Sequence, residues 1–458
     1  MITPTVSVSP TRWRGVTATF AFVVALLAIV YWGGIPAVNQ MGFALGVASV
    51  ILVLAIIGGL AWHLLVRPIP NAPRQTRMFS ALQHRLIAWV LLLNSACLIV
   101  GAFWDEVWHR RYGLPFGEDF FWRPHLMMYF GMLLTIALAF YGLLTLNRTV
   151  RGTFQQRFRA NPSAGLLVLT GLFWVYALPA DPVWHALYGV DLTAWSLPHV
   201  MIAFSFIMIA VLSSTLYIIS QASTDWRTLR ALRLGDWIPL SALVFSMMIL
   251  MQLLTTEWEG VQTLPLVLNR PDWLLPLVLV VGSTFTATLA TRSLKMIGAS
   301  SLVLVGAWAL RVGMIALFDA PDVSAGGWVA SAVPAVVMDV IALGWFARYK
   351  QPLALMPHVI ILSVLHLVSI LPLTLMLYPV MNPTAGFFIG SVIAIPLGTL
   401  WAVWVGGALG DQIAQQKRVT ETTAQEAENW VRVLMPIAGV AMLVFGVWFI
   451  LTATPPVL

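Results

Sequence analysis

Charge is scarce in this chain. Only 9% of its 458 residues are Asp, Glu, Lys or Arg, while 60% are hydrophobic, and so little polar material cannot cover a soluble surface of that size. Soluble enzymes, nucleic-acid binders and secreted disulfide scaffolds are excluded on that ground. Cysteine is almost absent too: Cys97 stands alone inside an apolar run, which rules out an intrachain disulfide and any Cys-based metal or redox motif. There is no low-complexity tail and no long linker. The largest polar stretch, 410–430, reads as a cytoplasmic loop with some helical character.

What the chain has instead is long apolar runs. They describe an all-α, polytopic transmembrane helical bundle whose main partner is the lipid bilayer. Thirteen spans are expected, at about 16–34, 42–66, 86–104, 124–146, 163–179, 198–220, 236–256, 273–290, 295–318, 326–347, 352–379, 384–409 and 431–452. The first follows Arg12 and Arg14 like a signal peptide, but its apolar run is too long and lacks a clear cleavage site. Residues 1–220, spans one to six, form one expected membrane domain, and residues 221–458, spans seven to thirteen, a second helical bundle.

The net charge of +7 is topological. Of the 25 Lys and Arg, Arg110, Arg111, Arg123 and Arg270 fall in one set of alternate loops, Arg311 falls inside a span, and the remaining twenty fall in the other set. The positive-inside rule then places the N-terminus in the cytoplasm and the C-terminus outside, in a cell inner membrane. Asp105, Glu106, Asp181, Asp191, Glu257, Asp272 and Asp319 lie on the outer side, a face that attracts cations. The same bias also arises when acids simply collect where bases are excluded.

One repeat carries chemistry. The outer loop after span three reads Asp105-Glu-Val-Trp108-His109-Arg-Arg-Tyr112-Gly113, and Trp122-Arg-Pro124-His125 opens span four. The outer loop after span five reads Asp181-Pro-Val-Trp184-His185-Ala-Leu-Tyr188-Gly189, and Trp195-Ser-Leu-Pro198-His199 opens span six. Both copies spell D-x-V-W-H-x-x-Y-G followed by W and P-H. An Asp and a His at i and i+4 share one helix face. Asp181 before Pro182 reads as an N-cap, with Gly189 as the stop of a short separate helix. His125 and His199 each follow a Pro at a helix start, where the positive end of the dipole disfavours a protonated imidazole and leaves it available as a ligand.

Each hairpin thus offers one carboxylate and two imidazoles, a donor set suited to copper, zinc, iron or manganese. The competing reading makes Trp, Tyr and Pro interfacial anchors, with Asp and His as caps. It explains the aromatics and leaves the recurrence of the whole triplet unexplained. Glu257 is a candidate further ligand or a snorkelling side chain. Arg311, Asp339 and His366 lie at membrane depth, where they mark an ion or proton path if they meet and a structural polar cluster otherwise. His358 reads as interfacial, and His63 and His84 carry no assigned chemistry. Met127 and Met128 are either soft ligands for Cu(I) or packing residues.

The triplets resemble the copper-binding region in one of the two membrane-embedded components of the particulate methane and ammonia monooxygenases. That region has Asp-x3-His with a further His opening the next helix, then a second triplet that starts with Asn where this chain has Asp181. The resemblance covers roughly residues 85–220. It implies a membrane oxidoreductase of the monooxygenase kind, holding one or two copper ions on the outer, periplasmic side. Such a protein activates O2 against a small apolar or lipid-soluble substrate and works with other subunits or an electron donor. Zinc or iron also suits the ligand set, and no catalytic residue is assigned. The alternative expectation is a metal-handling or transport protein; a b-haem carrier ranks below both, because bis-His ligation does not need the recurring Asp.

Overall fold

A computed structural model describes residues 79–113, 121–149, 153–188, 194–222, 225–258, 270–321, 323, 325–377, 384–416 and 421–454. The expected spans 16–34 and 42–66 lie outside the described residues. The described chain is predominantly helical: α1 (Ala81–Tyr112), α2 (Arg123–Thr149), α3 (Phe154–Ala160), α4 (Pro162–Tyr188), α5 (Leu197–Ile219) and α6 (Trp237–Thr255) are followed by α7 (Leu274–Leu294), α8 (Ala299–Leu317), α9 (Gly326–Tyr349), α10 (Leu355–Leu377), α11 (Ala385–Gln415) and α12 (Glu421–Leu451). Among the described residues nine helices are long and apolar enough to cross a membrane. Spans 163–179 and 431–452 fall on α4 and α12, over the apolar stretches Pro162–Val175 and Pro436–Leu451.

Helices α1, α2, α4 and α5 form a four-membered group in which α1 packs on α2 and α5, and α4 packs on α2 and α5. Helix α6 joins this group to the rest by packing on α5 and α1 on one side and on α7 and α8 on the other. Helices α8, α9, α10 and α11 follow as successive neighbours, α11 returns onto α7, and α12 lies back against α1. The outside is apolar: Leu133, Val340, Val368 and Leu443 stand exposed along α2, α9, α10 and α12. Water would penalise such a surface, whereas lipid covers it at no cost, so the chain reads as a multi-pass membrane protein.

Two local features fix helix positions. Helix α1 begins at a capping box, in which the Ser80 hydroxyl accepts from Gln83 N and Gln83 Oε1 accepts from Ser80 N. Helices α7 and α11 approach so closely that a Cβ on Gly406 would stand 2.6 Å from the Phe285 carbonyl oxygen, and one on Gly410 would stand 2.7 Å from Arg292 Cβ. Small residues permit this contact between backbones. The pair is also tied at both ends, by the Arg292–Asp411 ion pair at 2.6 Å and by the Thr384 hydroxyl donating to Asp272 at 3.1 Å.

The strands are vestigial but informative about ends. Strand β1 (Arg227–Thr228), between α5 and α6, pairs in parallel with β2 (Met296–Ile297), between α7 and α8. Those two turns therefore lie at one end of the bundle, and the repeated hairpins lie at the other.

Two sequence expectations are corrected. Asp181 is not an N-cap of a separate short helix: α4 runs unbroken from Pro162 through Asp181 and Pro182 to Tyr188. A proline costs the helix one N–H bond and crowds the carbonyl four residues back, and the ladder of the nearly two turns that remain carries the helix past it. Nor is 410–430 mainly loop, since α11 continues to Gln415 and α12 begins at Glu421.

Candidate metal centre

The repeat is structural as well as textual. In both copies the Asp lies seven residues before the helix end, Asp105 before Tyr112 and Asp181 before Tyr188, and the His follows one turn later. In both, the second His is the third residue of the next helix, His125 in α2 and His199 in α5. The side chains converge into two clusters, Asp105 with His109 and His125, and Asp181 with His185 and His199, whose donor atoms all lie within 4.8 Å of one another in each cluster.

Within the first cluster Asp105 Oδ1 stands 2.9 Å from His125 Nε2 and 3.4 Å from His109 Nε2. Within the second, Asp181 Oδ1 stands 3.5 Å from His185 Nε2 and 3.6 Å from His199 Nε2. Three of these four separations are too long for an N–H···O bond. Two donors bound to one ion at about 2.1 Å stand about 3.4 Å apart at a tetrahedral angle and about 3.0 Å apart at a right angle. The observed separations, 2.9–3.6 Å, lie within about 0.2 Å of that range.

Two further observations test whether a metal fits. Asp105 Oδ1 and Asp181 Oδ1 are buried atoms that complete no hydrogen bond of acceptable angle, which is costly for a carboxylate oxygen facing only nitrogen atoms. In the first cluster the His109 Nδ1 lies 3.1 Å from the Gly113 carbonyl oxygen. A carbonyl only accepts, so Nδ1 carries the proton, and the neutral ring turns the Nε2 lone pair toward Asp105. In that neutral form lone pair faces lone pair across 3.4 Å, and either a second proton on the ring or a metal cation between them resolves the conflict. Fixing one ring nitrogen on a backbone carbonyl is how metal-bound histidines are held. Gly113 has φ +86°, a conformation that a side chain would strain. The recurring Tyr-Gly pair thus has a role at the first copy: the glycine turns its carbonyl back onto the histidine. Gly189 lies outside the described residues.

Charge at the second cluster follows the same logic. Asp181 lies beyond the apolar part of α4. Burial alone would raise its pKa, but the close imidazoles of His185 and His199 outweigh this and hold the carboxyl below its usual range. It remains the anionic member of the set.

The surroundings of the two clusters differ. Glu106, next to Asp105, accepts from Arg110 at 2.7 Å, Thr256 at 2.7 Å and Gln252 at 2.6 Å, which binds the end of α1 to α6. Sequence reasoning counted Glu106 only among the outer acids. Its signal was asymmetry: the second copy has Pro182 and Ala186 where the first has Glu106 and Arg110. Trp122 packs beside His109 with ring centres 5.2 Å apart. In the second copy the corresponding Trp195 is fully buried, donates to the Leu253 carbonyl at 2.7 Å and carries the Arg270 guanidinium 4.1 Å above its ring.

The remaining sequence candidates are scattered. Arg311 lies over the rings of Phe103 and Trp328, 4.8 and 5.3 Å from their centres. Asp339 accepts from the Ser301 N–H and hydroxyl at 2.9 and 2.6 Å. His366 sits between Thr399 and Thr284. The three do not form one cluster. Glu257 falls in the turn Thr256–Trp258, with its side chain outside what is described. Met127 and Met128 are buried, and Met128 packs on Gly101 of α1, as a packing residue does. His84 bridges Ser80 and Ser163. Comparison of the chain with protein-family models, with curated proteins and with solved structures gives no match.

Proposed function

We propose that this chain is an integral membrane metalloprotein, a copper-dependent, monooxygenase-like oxidoreductase that acts on a small apolar or lipid-soluble substrate. The observation that carries the reading is the twofold Asp/His/His convergence at metal-ligand spacing, with buried carboxylate oxygens aimed at imidazole nitrogens. The likeness of the triplets to the copper-binding region of the particulate methane and ammonia monooxygenases turns the general metal reading toward copper. A bound copper ion would supply one-electron redox chemistry and O2 activation. The chain's own groups do the rest. Asp105 and Asp181 would provide one negative charge per site, the four imidazoles would bind as neutral donors, the Gly113 carbonyl orients His109, and Trp122 packs beside His109.

The same reading has thirteen spans, a cytoplasmic N-terminus, an external C-terminus, and both triads on the outer face of an inner membrane, with electrons supplied by a separate protein or small-molecule donor. Topology is tested by cysteine labelling in intact cells: position 117 is expected to react and position 155 to stay protected, and the opposite pattern reverses the arrangement. Function is tested by metal analysis of purified protein. One or two copper ions per chain are expected, and H109A/H185A is expected to lose them. Oxygen consumption should vanish on replacing Asp105 or Asp181 and persist in D339N. Radiolabelled copper uptake into proteoliposomes that D339N abolishes would make the protein a transporter instead.

A further inference from the structure

We propose that helices α7 to α10 enclose a hydrated proton inlet that ends at His366, entered from the end of the bundle opposite the metal triads. The inference is independent of the metal reading. A narrow, mostly apolar cavity between these helices carries the polar side chains of Thr284, Thr288, Thr291, Ser331, His358 and His366 on its lining. Thr291 and His358 are only partly buried, whereas Thr284, Ser331 and His366 are at most 3% exposed. The cavity therefore runs inward from a mouth near the α7–α8 turn, the end marked by the β1–β2 pair. Eight residues separate His358 from His366 along α10, about 12 Å of helix rise, so the lining reaches roughly the middle of an apolar layer about 30 Å thick.

Water belongs in this space. The hydroxyls of Ser331 and Thr291 are buried and have no hydrogen-bond partner in the protein, and buried polar groups of that kind are met by water. A water-sized body fits in only about 20 Å³ of the cavity, room for a water or two and too little for a hydrated ion. No carboxylate lines it, so nothing there replaces the shell of a metal cation.

The deep end presents one ring nitrogen of His366 to the cavity. The Thr399 hydroxyl donates its hydrogen to the Ile395 carbonyl at 2.9 Å, so toward His366 Nδ1, 2.9 Å away, it can only accept. Nδ1 is therefore the protonated nitrogen. In the neutral ring Nε2 holds the lone pair, and it faces the Thr284 hydroxyl at 3.4 Å beside the cavity. A proton delivered along the inlet forms an Nε2–H bond as an O–H bond of the adjacent water breaks, and the hydroxide left behind takes a proton from water at the mouth.

The charged and titratable groups on the packed elements are spoken for or lie at the mouth. Arg292 of α7 is paired with Asp411 of α11, Asp339 of α9 is held by Ser301, and His358 stands at the entrance.

The test is imidazole C2–H exchange in D2O, read residue by residue by mass spectrometry on the full chain in nanodiscs. This exchange needs both water and reversible protonation at the ring. His366 is expected to exchange within about tenfold of the rate of His358, with a sigmoidal dependence on pH, and Ser331→Val is expected to slow His366 at least fivefold while leaving His358 and His109 unchanged. If that variant does not elute as a single species, Thr288→Val serves the same purpose. A His366 that does not exchange in the wild-type chain, a rate flat with pH, or a rate unaffected by the plugging variant would each overturn the proposal.

Discussion

The two triads hold the same three ligand groups in different settings. The first is tighter and more enclosed: its carboxylate–imidazole separations are 2.9 and 3.4 Å against 3.5 and 3.6 Å in the second. His125 is 16% exposed, and its counterpart His199 is 40% exposed. The first Asp is followed by a glutamate anchored on three donors, from α1, α6 and the turn after α6, and the second by a proline that can anchor nothing. The motif sets which atoms can bind, and the flanking residues set how firmly they are held and how easily something else reaches them. If the triads bind metal as proposed, the first would be the retentive site and the second the accessible one, where exchange with solvent is easier.

The largest expected effect is one the two sites share. Each metal displaces protons from two imidazoles, so affinity falls as the pH drops into the imidazole range, by up to about 100-fold per pH unit. Asp181 adds no third step there, because its carboxyl titrates below the ordinary range. Metal titrations between pH 5 and 8, run in H185A to isolate the first site and in H109A to isolate the second, should therefore give slopes near two. A slope near three at the second site would mean that the Asp is protonated in the empty protein.

Next in size is an effect confined to one triad. Replacing Glu106 with Ala frees the end of α1 from α6, and loss of such outer support typically costs about 10- to 100-fold in metal affinity. That loss is expected in the H185A background and not in H109A. Equal losses in both would show that Glu106 acts through global stability and not through the first site.

The smallest effect is kinetic. A strong chelator is expected to strip metal from the second triad roughly tenfold faster than from the first, in keeping with its greater exposure. Indistinguishable rates in the two single-site variants would erase the distinction between retentive and accessible sites.

Much of this site is legible in the sequence alone. The recurrence of Asp, His and Pro-His at matched spacing defines the ligand set, because i, i+4 placement is a local property of a helix. Helix continuity through Asp181-Pro182 is not legible, since a proline after an aspartate is also the signature of a helix start. The azimuth of membrane-depth residues is equally hidden. Hydropathy places Arg311, Asp339 and His366 at depth but not on a face, and packing turns them to separate partners. The cavity at His366 depends on hydroxyls drawn from α7 and α9, residues whose composition alone marks nothing.

The glycine-lined seam between α7 and α11, fastened at both ends, has a mechanical consequence. Two helices joined backbone to backbone, with no side chain between them at Gly406 and Gly410, have no slack in which to slide. They behave as one rail. Thr284 and Thr399, which flank His366, are mounted on opposite members of that rail, so their spacing is insulated from motion elsewhere in the bundle. Any widening of the inlet must come from α8, α9 and α10 shifting against it.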